Sequence, residues 1–336
     1  MDRVPVHEAI AQLHHGDTVI DVRSPAEWAI DHIPGAINAP VLSDAERSEI
    51  GTLYARSAFE AKKRGAALVA RNIANALEHD FIDRPRDWRP MIYCWRGGNR
   101  SLAMATVMER IGWKARVLEG GYAAYRKFVV ADLAQHVVRL RYVVVCGVTG
   151  SGKTAYLRRL QDQGEQVLDL EGLAHHRGSL LGHEPQGQQP SQKQFETRIW
   201  DRLRRFSEDR PVFIESESKK IGAVQVPDAL ITRMRESPCV ELAPPLEDRV
   251  SFLCHDYAHF FDRPEALLTQ LERLRPLVGD KRLNVWAELI RQRRWPELVT
   301  SLLLDHYDPT YTASMRRNYR HYAEAERQVL HPGLSA

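Results

Sequence analysis

Short, uninterrupted apolar runs alternate along the chain with stretches whose apolar residues recur at helical spacing. The runs at 17–23 (D-T-V-I-D-V-R), 90–93 (P-M-I-Y), 115–118 (A-R-V-L), 142–146 (Y-V-V-V-C), 166–171 (Q-V-L-D-L-E) and 211–214 (P-V-F-I) predict buried strands. Helical patterns lie between them at 102–108, 123–141 and 192–208, the last turning Phe195, Ile199, Leu203 and Phe206 inward. Ser24-Pro25-Ala26-Glu27 has a helix-start signature, with Ser as N-cap, Pro in the first turn and Glu at the third position. Residues 44–79 predict a long, mostly helical insert with Leu53, Phe59, Leu68, Ile73 and Leu77 as its core face. Its Arg56, Lys62, Lys63, Arg64 and Arg71 read as solvated helix surface. Residues 245–330 read as mainly helical, with Tyr307-Asp308-Pro309-Thr310-Tyr311 as a turn between helices. Strands alternating with helices predict an α/β fold with parallel sheets.

A chain of 336 residues suits two domains, each burying its own core. We place the first over 1–130 and a connecting helix at 131–141. The second, an α/β domain with a helical C-terminal part, occupies 142–336. No Gly- or Ser-rich linker separates them, which predicts a rigid junction. With 43% hydrophobic and 27% charged residues, the composition is that of a soluble globular protein. No apolar run approaches the ~20 residues of a membrane span, and the first residues lack a signal peptide's apolar core. Four cysteines, at 94, 146, 239 and 254, show neither paired nor metal-ligand spacing, which favours the reducing cytoplasm. A net charge of +3 does not itself call for a nucleic-acid partner; local clusters matter more.

The chemistry concentrates first in Cys94-Trp95-Arg96-Gly97-Gly98-Asn99-Arg100-Ser101, between a strand and a helix. Turn and helix-start N–H groups point inward there and form an anion cradle. The same field favours a thiolate, so Cys94 is the candidate nucleophile, with Arg100 placed to fork onto an oxyanion. A buried structural cysteine is the bland alternative, and Cys146 reads that way. The second centre is Gly147-Val148-Thr149-Gly150-Ser151-Gly152-Lys153-Thr154, a G-x-x-x-x-G-K-[ST] match with a strand before and a helix after. Its backbone N–H groups can wrap a phosphate chain, Lys153 adds charge, and Thr154 can bind Mg²⁺. Asp169, Glu171, His175, His176 and Arg177 follow one strand end and Glu215 and Glu217 another, where open α/β sheets form their ligand crevice. Adjacent histidines point different ways, so polar substrate contacts are favoured there over a metal. Glu215 ends an apolar strand in the Walker B manner and is, with Thr154, a candidate magnesium ligand. Residues 182–191 read as a polar loop. Arg291, Arg293 and Arg294 with Trp295, and Arg316, Arg317 and Arg320 with Tyr319 and Tyr322, mix cations and aromatics as RNA contacts require. An exposed amphipathic helix accounts nearly as well for either cluster alone.

D-V-R at 21–23, H-I-P-G-A-I-N at 32–38, the cysteine loop and L-E-G-G-Y at 118–122 resemble a rhodanese domain in the family's order. In that family the loop cysteine carries a transferable chalcogen. Five residues separate Cys94 from Arg100, one more than in many thiosulfate-type members and as in the arsenate-reductase and phosphatase-like ones. The wider cradle suits a tetrahedral anion. The P-loop NTPase-like domain follows with D-L-E-G-L-A-H-H-R-G-S at 169–179, Q-P-S-Q at 189–192, I-E-S-E-S-K-K-I-G at 214–222 and Y-D-P-x-Y at 307–311. Taken together, the chain resembles the tRNA 2-selenouridine synthase family nearly end to end. The resemblance implies replacement of sulfur by selenium at C2 of wobble 2-thiouridine (position 34) in tRNAs for Lys, Glu and Gln. Selenophosphate would be the donor and geranyl diphosphate the source of an S-geranylated intermediate. It implies no tightly bound cofactor, Mg²⁺ as an optional ion, no membrane partner, and a selenophosphate-supplying enzyme as a candidate partner. Two other readings stay open on the residues alone. One is an ATP-dependent tRNA sulfurtransferase; the other is a nucleotide-gated RNA-binding adaptor with a silent rhodanese domain.

Overall fold

The computed structural model describes residues 2–12, 18–176 and 188–329. The chain divides into two compact units, residues 1–133 with 190–201, and residues 134–189 with 202–336. The first unit thus takes in a segment that the sequence pattern assigns to the second domain. Side-chain interactions hold it there. Thr197 Oγ1 donates to Asp31 at 3.1 Å, Trp200 Nε1 donates to Asp132 at 2.9 Å, and Arg126 pairs with Glu196. Trp200 is fully buried and meets the rings of Tyr125 and Phe128 edge-on.

Among the described residues the first unit carries one five-stranded sheet of β1 (Asp2–Val4), β2 (Val19–Asp21), β3 (Ile37–Asn38), β4 (Met91–Tyr93) and β5 (Arg116–Leu118). Its order is β1-β5-β4-β2-β3 and every pairing is parallel, with Ile20 opposite both Ile92 and Ile37. β1 carries too few residues to show a pattern in sequence. Ile20, Val22, Ile92, Met104, Met108 and Val117 make the core, closed by Phe81, Trp88 and Trp113. Trp88 meets Trp113 edge-on at 5.1 Å and donates its indole N–H to Thr18. The insert folds as helices Asp44–Arg56 and Ala58–Ala76 followed by a π-helical turn, Leu77–Phe81. Leu68 and Ile73 are buried as expected, but Phe59 is 71% exposed. It lies in the first turn of its helix, ahead of Ala61, the first residue of that helix to be buried.

The second unit has its own parallel sheet of β6 (Tyr142–Cys146), β7 (Gln166–Leu168), β8 (Val212–Glu215), β11 (Cys239–Leu242) and β12 (Glu326–Gln328), ordered β12-β11-β6-β8-β7. A two-stranded antiparallel hairpin, β9 (Lys220–Ile221) with β10 (Val224–Gln225), lies between β8 and β11 in the chain. β12 is a polar edge strand inside the segment read as helical, and its Glu-Arg-Gln sequence carries no apolar signal. Helices Leu246–Asp256, Pro264–Leu271, Arg275–Arg291 and Trp295–Leu302 bury Leu267, Leu271, Trp286, Ile290 and Leu298 together. Residues 307–311 are not the turn their composition suggests. A π-helical segment, Leu303–Tyr307, runs directly into helix Asp308–Asn318, with Pro309 in its first turn. The proline withholds an N–H from the preceding turn, and the Asp305 carbonyl, four residues back, accepts from the Arg282 guanidinium. In each sheet the chain leaves one strand, β2 in the first and β6 in the second, toward one side and later passes to its other side. Crevices at such reversals open at the strands' carboxyl ends.

Candidate active site

Cys94 follows β4 at the carboxyl end of the first sheet, and helix Asn99–Ile111 begins five residues later. Its side chain is 4% exposed, and Sγ accepts hydrogen bonds from Gly98 N–H and the Ser101 hydroxyl, both at 3.3 Å. Burial raises the thiol's pKa, but the Ser101 hydroxyl and the N–H groups of Ser101, Gly98 and Arg96 outweigh it. The net effect is a pKa below the ordinary thiol range. Gly97, at φ +65°, lets the loop close, since a Cβ there would lie 2.8 Å from the Leu118 carbonyl. Gly121 backs the loop so tightly that a Cβ would collide with the Cys94 carbonyl. Tyr122 and Ala123 N–H donate to the Cys94 and Trp95 carbonyls at 2.9 Å, so the L-E-G-G-Y segment is the wall of the cysteine loop.

Arg100 does not stand free over the cradle. Its guanidinium grips Glu27, with Nη1 to Oε2 at 2.8 Å, and Glu27 itself closes the capping box with Ser24. Arg96 and Asn99 are exposed, and Trp95 is partly exposed, tilted on Tyr122 with Lys193 Nζ 6.0 Å from its ring. The D-V-R residues act underneath. Arg23, 1% exposed, forks onto Asp21, donates to the Asp31 carbonyl and lies 4.0 Å over the Tyr122 ring. Asp31 accepts from the Tyr122 hydroxyl at 2.8 Å, and burial raises its pKa. Sequence reasoning did not single out Asp31, Arg126, Thr197 or Lys193; their chain separations leave no local signal.

In the second unit β6 runs into Gly147–Gly152 and helix Lys153–Asp162. Gly147, Gly150 and Gly152 all have positive φ, and a Cβ on Gly150 would meet Leu253 at 2.8 Å. Lys153 Nζ donates to the Gly147 carbonyl at 2.9 Å, arching over the loop, and Ser151 is buried beneath it. Thr149, Gly150, Ser151, Gly152, Lys153 and Thr154 line one pocket together with Asp169, Glu171, Glu217, Arg158 and Tyr311. Glu215, read with Thr154 as a candidate magnesium ligand, ends β8. Its carboxyl accepts the Glu171 N–H at 2.8 Å, it is 2% exposed, and burial, then Asp169 and Glu171, push its pKa well up. It does not line the pocket, whereas Glu171 lies 3.4 Å from Thr154 Oγ1 and does. Asp169 caps helix Leu170–Ala174 through the Gly172 N–H. His175 ends that helix in the left-handed region and His176 packs against Gly222, so neither lines the pocket. Arg177 and most of the 182–191 loop lie outside the described residues. Among the described residues no group of three His, Cys, Asp or Glu side chains is placed to hold a metal ion. Thr154 and Glu171 are oxygen donors suited to Mg²⁺, which would take its remaining ligands from phosphate and water.

Two features of this unit were not legible in sequence. Arg249 donates through Nε to the Thr149 carbonyl at 3.0 Å and forks onto Asp308 at 2.9 and 2.6 Å, fastening the glycine loop to helix Asp308–Asn318. Beside the loop lies a cavity lined by Leu253, Phe260, Phe261, Leu302 and Leu303, with Thr149 at its edge. Cys146 packs inside the sheet beside Cys239, and the hydrogen bond its thiol donates to the Cys239 sulfur, then burial, raise its pKa.

The two basic clusters differ. Arg291 pairs with Glu288 and Arg294 with Glu297, while Arg293 sits at φ +54°. Arg316, Arg317 and Arg320 are exposed and have no ion-pair partner among the described residues. Their aromatic neighbours are not available for base stacking. Tyr319 is buried with its hydroxyl on the Glu217 carbonyl, and Tyr322 is buried and bonded to Glu241. Trp295 is half-buried and stacks on Phe261 at 4.4 Å. No helix among the described residues is long and apolar enough to cross a membrane.

The tRNA 2-selenouridine synthase AAA domain model matches residues 140–330, and the rhodanese-like domain model matches residues 5–128. A tRNA 2-selenouridine synthase of Alcanivorax borkumensis is 32% identical, covering 89% of this chain and 90% of its own. One of Sulfurovum sp. is 31% identical, covering 89% of each. Of solved structures, a rhodanese-related protein from Thermoplasma volcanium aligns at TM-score 0.26 and 19% identity, over 38% of this chain and 92% of its own. An α/β unit with a cysteine cradle, a second α/β unit with a glycine loop, and relatives matching over nearly all of both chains lead to one conclusion: this chain is an enzyme of the tRNA 2-selenouridine synthase family.

Proposed function

We propose that the enzyme replaces sulfur by selenium at C2 of the wobble 2-thiouridine, position 34, of tRNAs for Lys, Glu and Gln. Selenophosphate is the selenium donor, and an S-geranylated tRNA made from geranyl diphosphate is the intermediate. The observation that carries this reading is the presence in one chain of two separate anion cradles, one around a thiol of lowered pKa and one around Lys153. The first step needs the second cradle. The thiocarbonyl sulfur donates a lone pair to C1 of the geranyl group, the carbon–oxygen bond breaks toward diphosphate, and the base loses its N3 proton. Lys153 and the loop N–H groups stabilise the negative charge that builds on the departing diphosphate. Thr154 and Glu171 would hold Mg²⁺, which supplies further charge neutralisation there.

The second step needs Cys94. Alkylation makes C2 more electrophilic and lets the sulfur depart as a neutral geranyl thiol when selenium adds. The selenium of selenophosphate adds to C2 and geranyl thiol departs with a proton from water; the Cys94 thiolate then attacks phosphorus, the selenium–phosphorus bond breaks to leave selenium on C2, and water releases phosphate from the cysteine. Arg96 and the loop N–H groups bind the tetrahedral phosphate portion. Arg316, Arg317 and Arg320 contact the tRNA backbone, an unpaired cationic surface suited to that role. The test is nucleoside mass spectrometry of thiolated tRNA incubated with enzyme, selenophosphate and geranyl diphosphate, each omitted in turn, with and without ATP. The reading expects geranylated nucleoside without selenophosphate and 2-selenouridine only with both. Selenation that requires ATP and ignores geranyl diphosphate would overturn it.

A further inference from the structure

The helical insert of the first unit ends in a tip that core packing does not explain. A helix in water draws most of its stability from burying one face, yet helix Asp44–Arg56 has no fully buried residue. It is fastened at its start. Asp44 accepts the Ala26 N–H at 3.0 Å, and Arg47 lies 3.6 Å from Glu27, the carboxylate that also holds Arg100 of the cysteine loop. A helix of this length carries its far end about 18 Å from that anchor. There the chain turns back at Ser57 into helix Ala58–Ala76, with Arg64 on Glu49 at 3.1 Å and Gly65 against Ile50. The last turn of the first helix and the first turn of the second make the tip, where Tyr54 is 56% exposed and Phe59 71%. Between residues 54 and 64 stand four cations, Arg56, Lys62, Lys63 and Arg64, against one carboxylate, Glu60. Lys63 pairs with Glu60 and Arg64 with Glu49, whereas Arg56 and Lys62 are exposed and have no ion-pair partner among the described residues.

We propose that this tip is an RNA-binding surface that stacks unpaired bases of the tRNA anticodon loop on Phe59 and Tyr54 and pairs their phosphates with Arg56 and Lys62. The proposal rests on the reading above that Cys94 acts at a wobble base, and it assigns a contact for nucleotides near that base. Exposed rings gain free energy when a partner covers them, and every base offers a flat π face whatever its sequence. The surplus of positive charge selects a polyanion over a neutral apolar partner. Lys63 Nζ lies 5.7 Å from the centre of the Phe59 ring, so cation and ring can meet one nucleotide's phosphate and base together. The Arg316 cluster lacks this combination, because Tyr319 and Tyr322 beside it are buried. Position supports the same occupant. The insert's root shares Glu27 with Arg100 of the cysteine loop, so an RNA that brings one base to Cys94 passes close to the tip with its neighbouring nucleotides.

The measurement is binding of the full-length protein to intact lysine tRNA, to its anticodon stem-loop, and to the same stem as a fully paired duplex, across a salt series. Thermal melting checks folding, which substitutions at exposed tip residues should leave intact. The stem-loop is expected to bind more tightly than the duplex. Phe59→Leu keeps the side chain apolar but removes its π face; it should weaken stem-loop binding at least about fivefold and leave duplex binding unchanged. Phe59→Trp should retain the original affinity. Replacing Arg56 and Lys62 together by Gln should flatten the salt dependence by about 0.7 in slope for each single-strand phosphate released. Equal binding of stem-loop and duplex, or stem-loop binding by Phe59→Leu and the double variant that matches the unsubstituted protein at every salt concentration, would overturn the proposal. So would loss of self-association in light scattering with RNA affinity unchanged, which would make the tip a contact between copies of this chain. Failure of the unsubstituted protein to bind intact tRNA would instead overturn the wobble-base reading on which the proposal rests.

Discussion

A thiol as buried as Cys94 would titrate above the ordinary range if burial acted alone; Ser101, Gly98 and Arg96 reverse the sign by hydrogen bonding to the thiolate. Removing a hydrogen bond to a charged group costs about 1.5–3 kcal/mol, which corresponds to about one to two pKa units. Ser101→Ala should therefore raise the midpoint of Cys94 alkylation by iodoacetamide by that amount and slow the reaction at pH 7. An unchanged midpoint would assign the lowered pKa to the backbone alone. Cys94→Ala should abolish selenium incorporation while tRNA binding and S-geranylation persist; wild-type selenation by this variant would remove Cys94 from the chemistry. The cysteine and its loop were legible because two glycines and two arginines crowd within six residues of it. Arg100's attachment to Glu27 was not, because the partners stand 73 positions apart.

Elements with a long apolar run were legible, and those defined by pairing were not. β4, β6 and β8 announce themselves by buried side chains, whereas β1 and β12 exist because a neighbouring strand offers an edge. The Y-D-P-x-Y segment misled because Asp-Pro is turn chemistry in isolation; here Asp308 is engaged by buried Arg249 and Pro309 opens a helix. Cutting one partner from such a pair leaves an uncompensated charge and costs about 3 kcal/mol. Asp308→Ala should lower stability by about that amount in urea unfolding, and it should also weaken pyrophosphate binding by freeing the Thr149 carbonyl. Asp308→Glu should recover part of both. A variant that loses stability but binds pyrophosphate normally would limit the pair to a structural role. Likewise Glu215, which ends its strand as a magnesium ligand would, is drawn inward by the Glu171 N–H, and burial, then Asp169 and Glu171, push its carboxyl's pKa well up.

For the molecule as a whole, two α/β units and a helical C-terminal part could be anticipated, but not the return of residues 190–201 to the first unit, which depends on the buried Asp31 and Trp200. tRNA engagement is also a property of the whole surface. Replacing Arg316, Arg317 and Arg320 together by Ala should weaken tRNA binding and flatten its salt dependence, by about 0.7–0.9 in slope for each phosphate no longer neutralised. Unchanged affinity across a salt series would leave these arginines as a solvated helix face. The central claim is that carbon–oxygen cleavage belongs to the Lys153 loop and selenium transfer to the Cys94 loop. Losing Lys153 should cost the geranyl step about a hundredfold or more in rate. The most direct measurement is therefore 2-selenouridine formation by Lys153→Ala on two substrates, thiolated tRNA and tRNA already S-geranylated. The account predicts little product from the first and wild-type rates from the second; equal failure on both would contradict the division.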